Sequence, residues 1–485
     1  MSAPSAPDKH QVRSAGHASA WSGASGVVRA LLGFATTVVL ARLVAPEEFG
    51  IVAIVLVFSA VAMVLVDSGL GAALIQRQDI DRVDESTAFY FNLGVAVFVA
   101  GILVTAAPWI ASFFAQPSLT AITRLMALSV VISALGAIHS TLLTKALDFR
   151  PLFFISVWAA VSSSMLAILL AWRGYGVWSL VWQVLAQTAV TTILLWTWHR
   201  WRPLPVFDLR ALRRLLGFGG HVMVASLIDT LYTRLYSVFI GKVFGARELG
   251  IFMRAQETHQ LPAGLLSNVA NRVALPAFSK ASAEPLVLAA MLVKASRLLM
   301  FVNLPVMLGI AVTAEPLVAV LFGKDWLSVA PLLQVLCIVG ALWPLQVLNV
   351  SALLSQGRSR LVLRIEVLKK GIGVLLLVIA SNFGLQEVAA GMAATAVVAF
   401  IINSSCSGRL LGLGTLEQLR AIGGTIAASS IMVVVVVLTQ HYLLFSPLIN
   451  LMVLIPVGGV VFLSVSTMFG GGQIREIVHQ CRTGI

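Results

Sequence analysis

Runs of about twenty apolar residues, enough to cross a bilayer as one helix, recur at intervals of roughly 25 to 40 residues from Trp21 to Phe469. This recurrence constrains the fold more than any other feature. Lipid offers the backbone no hydrogen-bond partner, so each run must satisfy its own N–H and C=O groups as a helix. The runs open near Trp21, Glu48, Thr87, Leu119, Pro151, Tyr175, Leu215, Leu249, Leu286, Val329, Leu361, Val388, Leu419 and Pro447, predicting about fourteen spans. The composition agrees: 59% hydrophobic and 11% charged residues exclude a soluble multidomain chain of 485 residues. The longest internal polar stretch, His199 to Arg214, is too short for an extramembrane catalytic domain.

Residues 1–20, rich in Ser, Ala, Pro and basic residues, read as a disordered cytoplasmic N-terminus, and the run after them is too long for a signal peptide. The expected organisation is an N-lobe over 21–200, a basic cytoplasmic linker at 201–214 and a C-lobe over 215–412. Two further helices follow over 413–470, then a cytoplasmic tail at 471–485. Cys337, Cys406 and Cys481 suggest neither a disulfide framework nor a metal site and read as packing residues.

The net charge of +13 does not mark a nucleic-acid module, because the Lys and Arg residues punctuate alternate loops. With the N-terminus inside, the cytoplasmic set includes Arg77, Arg82, Lys145, Arg150, Arg200, Arg202, Arg210, Arg213, Arg214, Lys280, Arg358 and Arg360. The opposite set holds only Arg42, Arg173, Lys242, Arg247 and Lys324. That asymmetry, with an even number of crossings, places both termini in the cytoplasm.

Ala41-Arg-Leu-Val-Ala-Pro-Glu-Glu-Phe-Gly-Ile-Val52 aligns without gaps on Gly241-Lys-Val-Phe-Gly-Ala-Arg-Glu-Leu-Gly-Ile-Phe252. Glu48/Glu248, Gly50/Gly250 and Ile51/Ile251 are identical pairs, offset by 200 residues. Each block joins the first two helices of a six-helix set, so the halves read as parallel repeats about the membrane normal. The expected fold class is therefore an all-α polytopic membrane protein with two six-helix lobes around a central cavity, plus two C-terminal helices.

Ionisable groups inside spans are expensive and usually face a cavity or a partner. They concentrate at Arg29, Asp67, His221, Asp229, Arg234, Arg254, Glu257, His259 and Arg272. Arg29 aligns with Asp229 across the repeat, so the two can approach from opposite lobes. Arg254 and Glu257, three apart on one helix, can also simply neutralise each other, and Asp67 can sit at a headgroup boundary. Arg364, Glu366, Lys369 and Lys370 open one helix where they attract phosphate or snorkel. Pro262, Pro305, Pro344 and Pro456 fall inside spans and each removes a helical hydrogen bond. No phosphate-binding G-x-x-x-x-G-K-[ST] loop, H-E-x-x-H or Cys/His array is present, which argues against ATP hydrolysis and zinc chemistry, and no cofactor is expected.

The Ala41–Gly50 core, followed by Asp67-Ser-Gly-Leu-Gly-Ala-Ala-Leu-Ile-Gln-Arg77, resembles the opening of polysaccharide-type flippases. Leu249-Gly-Ile-Phe-Met-Arg-Ala255, Leu261-Pro262, Val273-Ala-Leu-Pro-Ala-Phe-Ser279 and Ser355-Gln-Gly-Arg358 onward to Lys370 resemble later signatures of the exopolysaccharide and colanic-acid-like branch. The chain is thereby identified, over roughly residues 20 to 410, as similar to Wzx-type repeat-unit flippases of the multidrug/oligosaccharidyl-lipid/polysaccharide superfamily. Met253 departs from the pattern, standing where an aromatic is common. The resemblance implies a bacterial inner-membrane transporter, not an enzyme. It would move undecaprenyl-diphosphate-linked oligosaccharide from the cytoplasmic to the periplasmic leaflet by alternating access, alongside a polysaccharide polymerase and glycosyltransferases. On that reading Arg29, Arg234, Arg254 and Arg272 supply charge to the diphosphate, and Asp229, Tyr232 and Tyr236 contact sugar. Asp67, Asp229 and Glu257 are the candidate ion-coupling groups. A drug or metabolite cation antiporter of the same superfamily is the nearest rival and would need an acidic cavity.

Overall fold

A computed structural model of the chain describes residues 26–442 and 446–483, with side chains to Met468. The expected disordered segment 1–20 lies outside the described residues. Through the first half run α1 (Gly26–Ala41), α2 (Pro46–Asp67), α3 (Leu70–Gln76), α4 (Arg82–Phe113), α5 (Leu119–Lys145), α6 (Phe149–Trp172), α7 (Val177–Trp198) and α8 (Leu209–Val243). The second half continues with α9 (Ala246–Lys280), α10 (Pro285–Val312), α11 (Ala314–Leu321), α12 (Val329–Ser355) and α13 (Ser359–Ala380). The last elements are α14 (Leu385–Leu411), α15 (Thr415–Ala421), α16 (Gly423–Tyr442) and α17 (Pro447–Thr483).

Among the described residues, eleven helices are long and apolar enough to span a membrane. Shorter α1 and the charge-bearing α9 and α13 lie where the other three of the fourteen expected crossings were placed, and are not among those eleven. Three short helices, α3, α11 and α15, were not foreseen, because seven or eight residues carry too little periodicity to stand out. By their contacts the helices form two units that divide after Gly250. In the first unit α8 packs along α2, α3 and α4, so this unit extends beyond the linker at 201–214. In the second, α16 and α17 pack on each other and on α10, where Phe301 and Phe462 meet with ring centroids 5.1 Å apart.

Helix starts follow from local chemistry. Pro46 occupies the first turn of α2, where no N–H is needed, and Glu48 turns back to accept the Ala45 N–H at 3.2 Å. The other Glu48 oxygen accepts the Val177 N–H at 3.0 Å, tying the start of α2 to the start of α7. Asp81 caps α4 by accepting from the Val83 and Asp84 N–H groups at 2.9 and 2.8 Å.

The linker at 201–214 is not a free tether. Trp201 Nε1 donates to Glu85 Oε2 at 2.6 Å, Leu204 N–H to Ser86 Oγ at 2.9 Å and Asp208 N–H to Thr87 Oγ1 at 3.1 Å. Arg214 closes the strap on Asp84 at 2.9 Å. Just before it, His199 Nδ1 lies 3.2 Å from His139 Nδ1, a contact that needs one ring to donate and the other to accept. Burial first, and then the Arg202 guanidinium, push the His199 imidazole below its ordinary value. Folding thus favours the neutral ring. The stability it contributes is present above the ordinary histidine value of about 6.5 and lost as pH falls through the lower folded value. Thermal unfolding in detergent is expected to shift down between about pH 7.5 and about pH 5.5, and less so for His199→Gln. An equal shift in the variant would contradict this assignment.

Pro344 interrupts α12 and leaves the Gly340 carbonyl without its helical donor. The fully buried Asn303 of α10 fills the gap, donating Nδ2–H to Gly340 O at 3.0 Å and Ala341 O at 3.1 Å. Asn303→Leu leaves that carbonyl unpaired and should destabilise the fold by about 1–3 kcal/mol, read as a lower unfolding temperature in detergent. An unchanged temperature would mean that the bonds carry no net stability.

Candidate functional site

Within the first unit, α1, α2, α5, α6 and α7 enclose a cavity of about 560 Å³. Its lining follows helical spacing. Val184, Gln187, Thr188, Thr191, Thr192 and Leu195 form one stripe of α7, and Ser133, Gly136, Ala137 and Ser140 form one stripe of α5. Close packing holds the two stripes in place. A Cβ on Gly136 would lie 3.1 Å from Thr192 Oγ1, and Thr192 Oγ1 donates to the Ile132 carbonyl of α5 at 2.9 Å. Phe149, Leu152 and Ile155 of α6 add an apolar flank, and Ser156 of the same helix adds a hydroxyl. The α1 helix is fixed to α6 by a 2.7 Å hydrogen bond from Thr36 to Ser164 and carries Arg29 to the cavity.

Arg29 is exposed and, among the described residues, is the only charged one lining this space. A cation with neutral hydroxyl and amide neighbours suits an anion joined to a polar, uncharged body.

The remaining candidates separate by unit. Asp67, Asp229, Tyr232, Arg234 and Tyr236 belong to the first, and Arg254, Glu257 and Arg272 to the second. Asp67 sits where α2 gives way to α3, and its carboxylate accepts main-chain N–H bonds from Gly69 and Gly71. Asp229 is exposed on α8, whereas Tyr232, Arg234 and Tyr236 are half-buried there. Buried Arg254 pairs with Glu257 at 2.9 Å, the neutralising arrangement that their spacing on one helix allows. Arg272 lines a separate groove of about 550 Å³ with Pro276, Lys280, Glu284 and Met291. The polar stripes of α5 and α7 escaped a sequence reading keyed to ionisable groups. The 187, 188, 191, 192 spacing of amide and hydroxyl side chains in an apolar helix was the signal that could have found them.

The repeat also has a structural counterpart. A Cβ added to Gly50 would collide with the Ala246 carbonyl, and one added to Gly250 with the Pro46 carbonyl. Since 46 and 246, like 50 and 250, are equivalent positions, the contact is reciprocal, as a local two-fold axis requires.

A profile described as Polysaccharide biosynthesis protein matches residues 39–331. The teichuronic acid biosynthesis protein TuaB of Bacillus subtilis (strain 168) is 32% identical over 62% of this chain and 62% of its own length. The lipopolysaccharide biosynthesis protein WzxC of Escherichia coli (strain K12) is 28% identical over 66% of each chain. The succinoglycan biosynthesis transport protein ExoT of Rhizobium meliloti (strain 1021) is 28% identical over 63% of this chain and 62% of its own. These matches thus span less than two thirds of each relative's length. Among solved structures, the lipid II flippase MurJ in an inward closed conformation superposes with a TM-score of 0.74 at 13% identity, covering 94% of this chain and 98% of that one. An inward-facing multidrug resistance MATE family transporter of the MOP superfamily gives 0.60 at 18%, covering 79% and 95%. At such identities the likeness is one of fold alone.

Proposed function

Because the chain belongs to the polysaccharide biosynthesis protein family, whose profile spans residues 39–331, we propose that it is a flippase for polyprenyl-diphosphate-linked oligosaccharide repeat units. The substrate would be the undecaprenyl-diphosphate form, moved by alternating access from the cytoplasmic to the periplasmic leaflet of a bacterial inner membrane, with both termini cytoplasmic. The observation that carries this reading is the cavity at Arg29, which among the described residues is cationic at one point and elsewhere lined by neutral groups, with no carboxylate on its wall. A diphosphate leaving water needs a replacement cation, the sugars need hydrogen-bonding groups, and the polyprenyl tail can remain in lipid.

The same wall disfavours the cation antiporter, which needs acidic groups to take its substrate out of water. Arg234, Arg254 and Arg272 would supply further charge along the path, and Asp229, Tyr232 and Tyr236 would contact sugar. Glu257 would compete with the diphosphate for Arg254, so a proton or ion arriving there would release the guanidinium. Asp67 and Asp229 remain the other coupling candidates, and a polymerase and glycosyltransferases the expected partners. Constant transport in vesicles after collapse of both proton and sodium gradients would exclude coupling.

Deletion of the gene tests the function itself. Lipid-linked repeat units should accumulate on the inner leaflet while surface polymer is lost. Unchanged polymer with altered drug tolerance would instead establish the antiporter.

A further inference from the structure

The α7 stripe is chemically unlike the rest of its helix. Gln187, Thr188 and Thr191 are half-buried polar side chains on one face of a span otherwise rich in Val, Leu and Trp. Polar groups inside a membrane gain nothing from lipid, and where they gather on one face of a cavity they give a polar ligand or water a surface to meet. Ser133 and Ser140 of α5 and Ser156 of α6 share the same cavity.

The hydrogen bonding of these groups shows what they offer. Thr188 donates to Val184 O at 2.8 Å, Thr191 to Gln187 O at 2.7 Å and Ser156 to Phe153 O at 2.8 Å. Each hydroxyl proton is committed to its own helix, which leaves oxygen lone pairs free to accept. Gln187 adds an amide that both donates and accepts. A wall of acceptors suits a ligand with many O–H donors, and Phe149 and Leu152 give the ligand's carbon face an apolar surface. The volume of about 560 Å³ lies within the range of small-molecule sites.

We infer that the α5–α7 wall around Gln187 and Thr191 is the subsite for the sugar joined directly to the diphosphate, and that it takes an uncharged, hydroxyl-rich sugar. The inference rests on the flippase reading, which assigns Arg29 to the diphosphate. With that cation engaged, the wall offers no other cation among the described residues to a hexuronate carboxylate, which would have to enter unpaired.

The test is binding of short-chain polyprenyl diphosphates to the full chain in nanodiscs, using three probes: one bare, one bearing a neutral disaccharide and one whose first sugar is a hexuronic acid. The native chain should bind the neutral disaccharide at least about tenfold more tightly than the other two. Gln187→Leu with Thr191→Val should bring it down toward the bare diphosphate. Equal affinity of the native chain for the neutral and hexuronate probes would overturn the subsite, as would a variant that binds all three like the native protein. Either result leaves the flippase reading standing. Failure of the native chain to bind any of the probes would remove the flippase reading and the subsite together. The comparison of probes on the native chain does not depend on how the variant folds.

Discussion

Replacing Arg29 by Ala is expected to abolish polysaccharide export while the protein remains in the membrane at its normal level. Among the described residues Arg29 alone brings charge to the α5–α7 cavity, whose other lining groups are hydroxyl, amide or apolar. Losing one partner of a desolvated, hydrogen-bonded charge pair typically costs about 2–5 kcal/mol, corresponding to roughly 30-fold to several thousand-fold in affinity. Arg29→Lys keeps the charge but loses the planar fork that can grip two phosphate oxygens, so an intermediate defect is expected. Export of surface polymer, normalised to membrane protein, checks both variants. Normal export by Arg29→Ala would remove Arg29 from the site.

A second large effect is expected at Gly50 and Gly250. Each lies so close to a main-chain carbonyl of the other repeat block that even a methyl group overlaps it, and main chain cannot swing aside as a flexible side chain does. Gly50→Val or Gly250→Val must therefore force the two blocks apart, and export should fall at least about tenfold, with overpacking of this kind costing about 1–3 kcal/mol or more. Gly94→Ala and Gly101→Ala are the controls, since nothing lies within 4 Å of a Cβ added at either position. Loss of export at all four positions would point to a general intolerance of glycine substitution in these helices rather than to the reciprocal contact.

What the sequence made legible follows from how strongly lipid constrains a chain. Apolar length located the spans, and the starts at Leu119, Val329 and Pro447 agree with the structure to the residue. The expected starts near Leu249 and Leu361 fall within α9 and α13, helices whose charge sets them apart from the eleven described helices that are long and apolar enough to span. The repeat was legible because both blocks carry a glycine, Gly50 and Gly250, at a position where an added Cβ would meet main chain. Other features depend on which side chains meet in three dimensions. The strap of residues 201–208 on Glu85, Ser86 and Thr87, and the donation from Asn303 across to α12, join positions far apart in sequence. At the candidate site Arg29 was visible as a costly charge, whereas Thr188 and Thr191 were not, because a hydroxyl can hide its cost by bonding its own helix, and neutral Gln187 carries no charge to mark it.

The most direct test of the central claim is translocation by the purified full chain in proteoliposomes. A fluorescent polyprenyl-diphosphate oligosaccharide is placed in one leaflet, and its exposure to a membrane-impermeant quencher on the opposite side is followed. Transfer is expected with the native chain, and with Arg29→Ala only the slow rate of protein-free vesicles. A native chain no faster than empty vesicles, or an Arg29→Ala chain as fast as the native one, would contradict it.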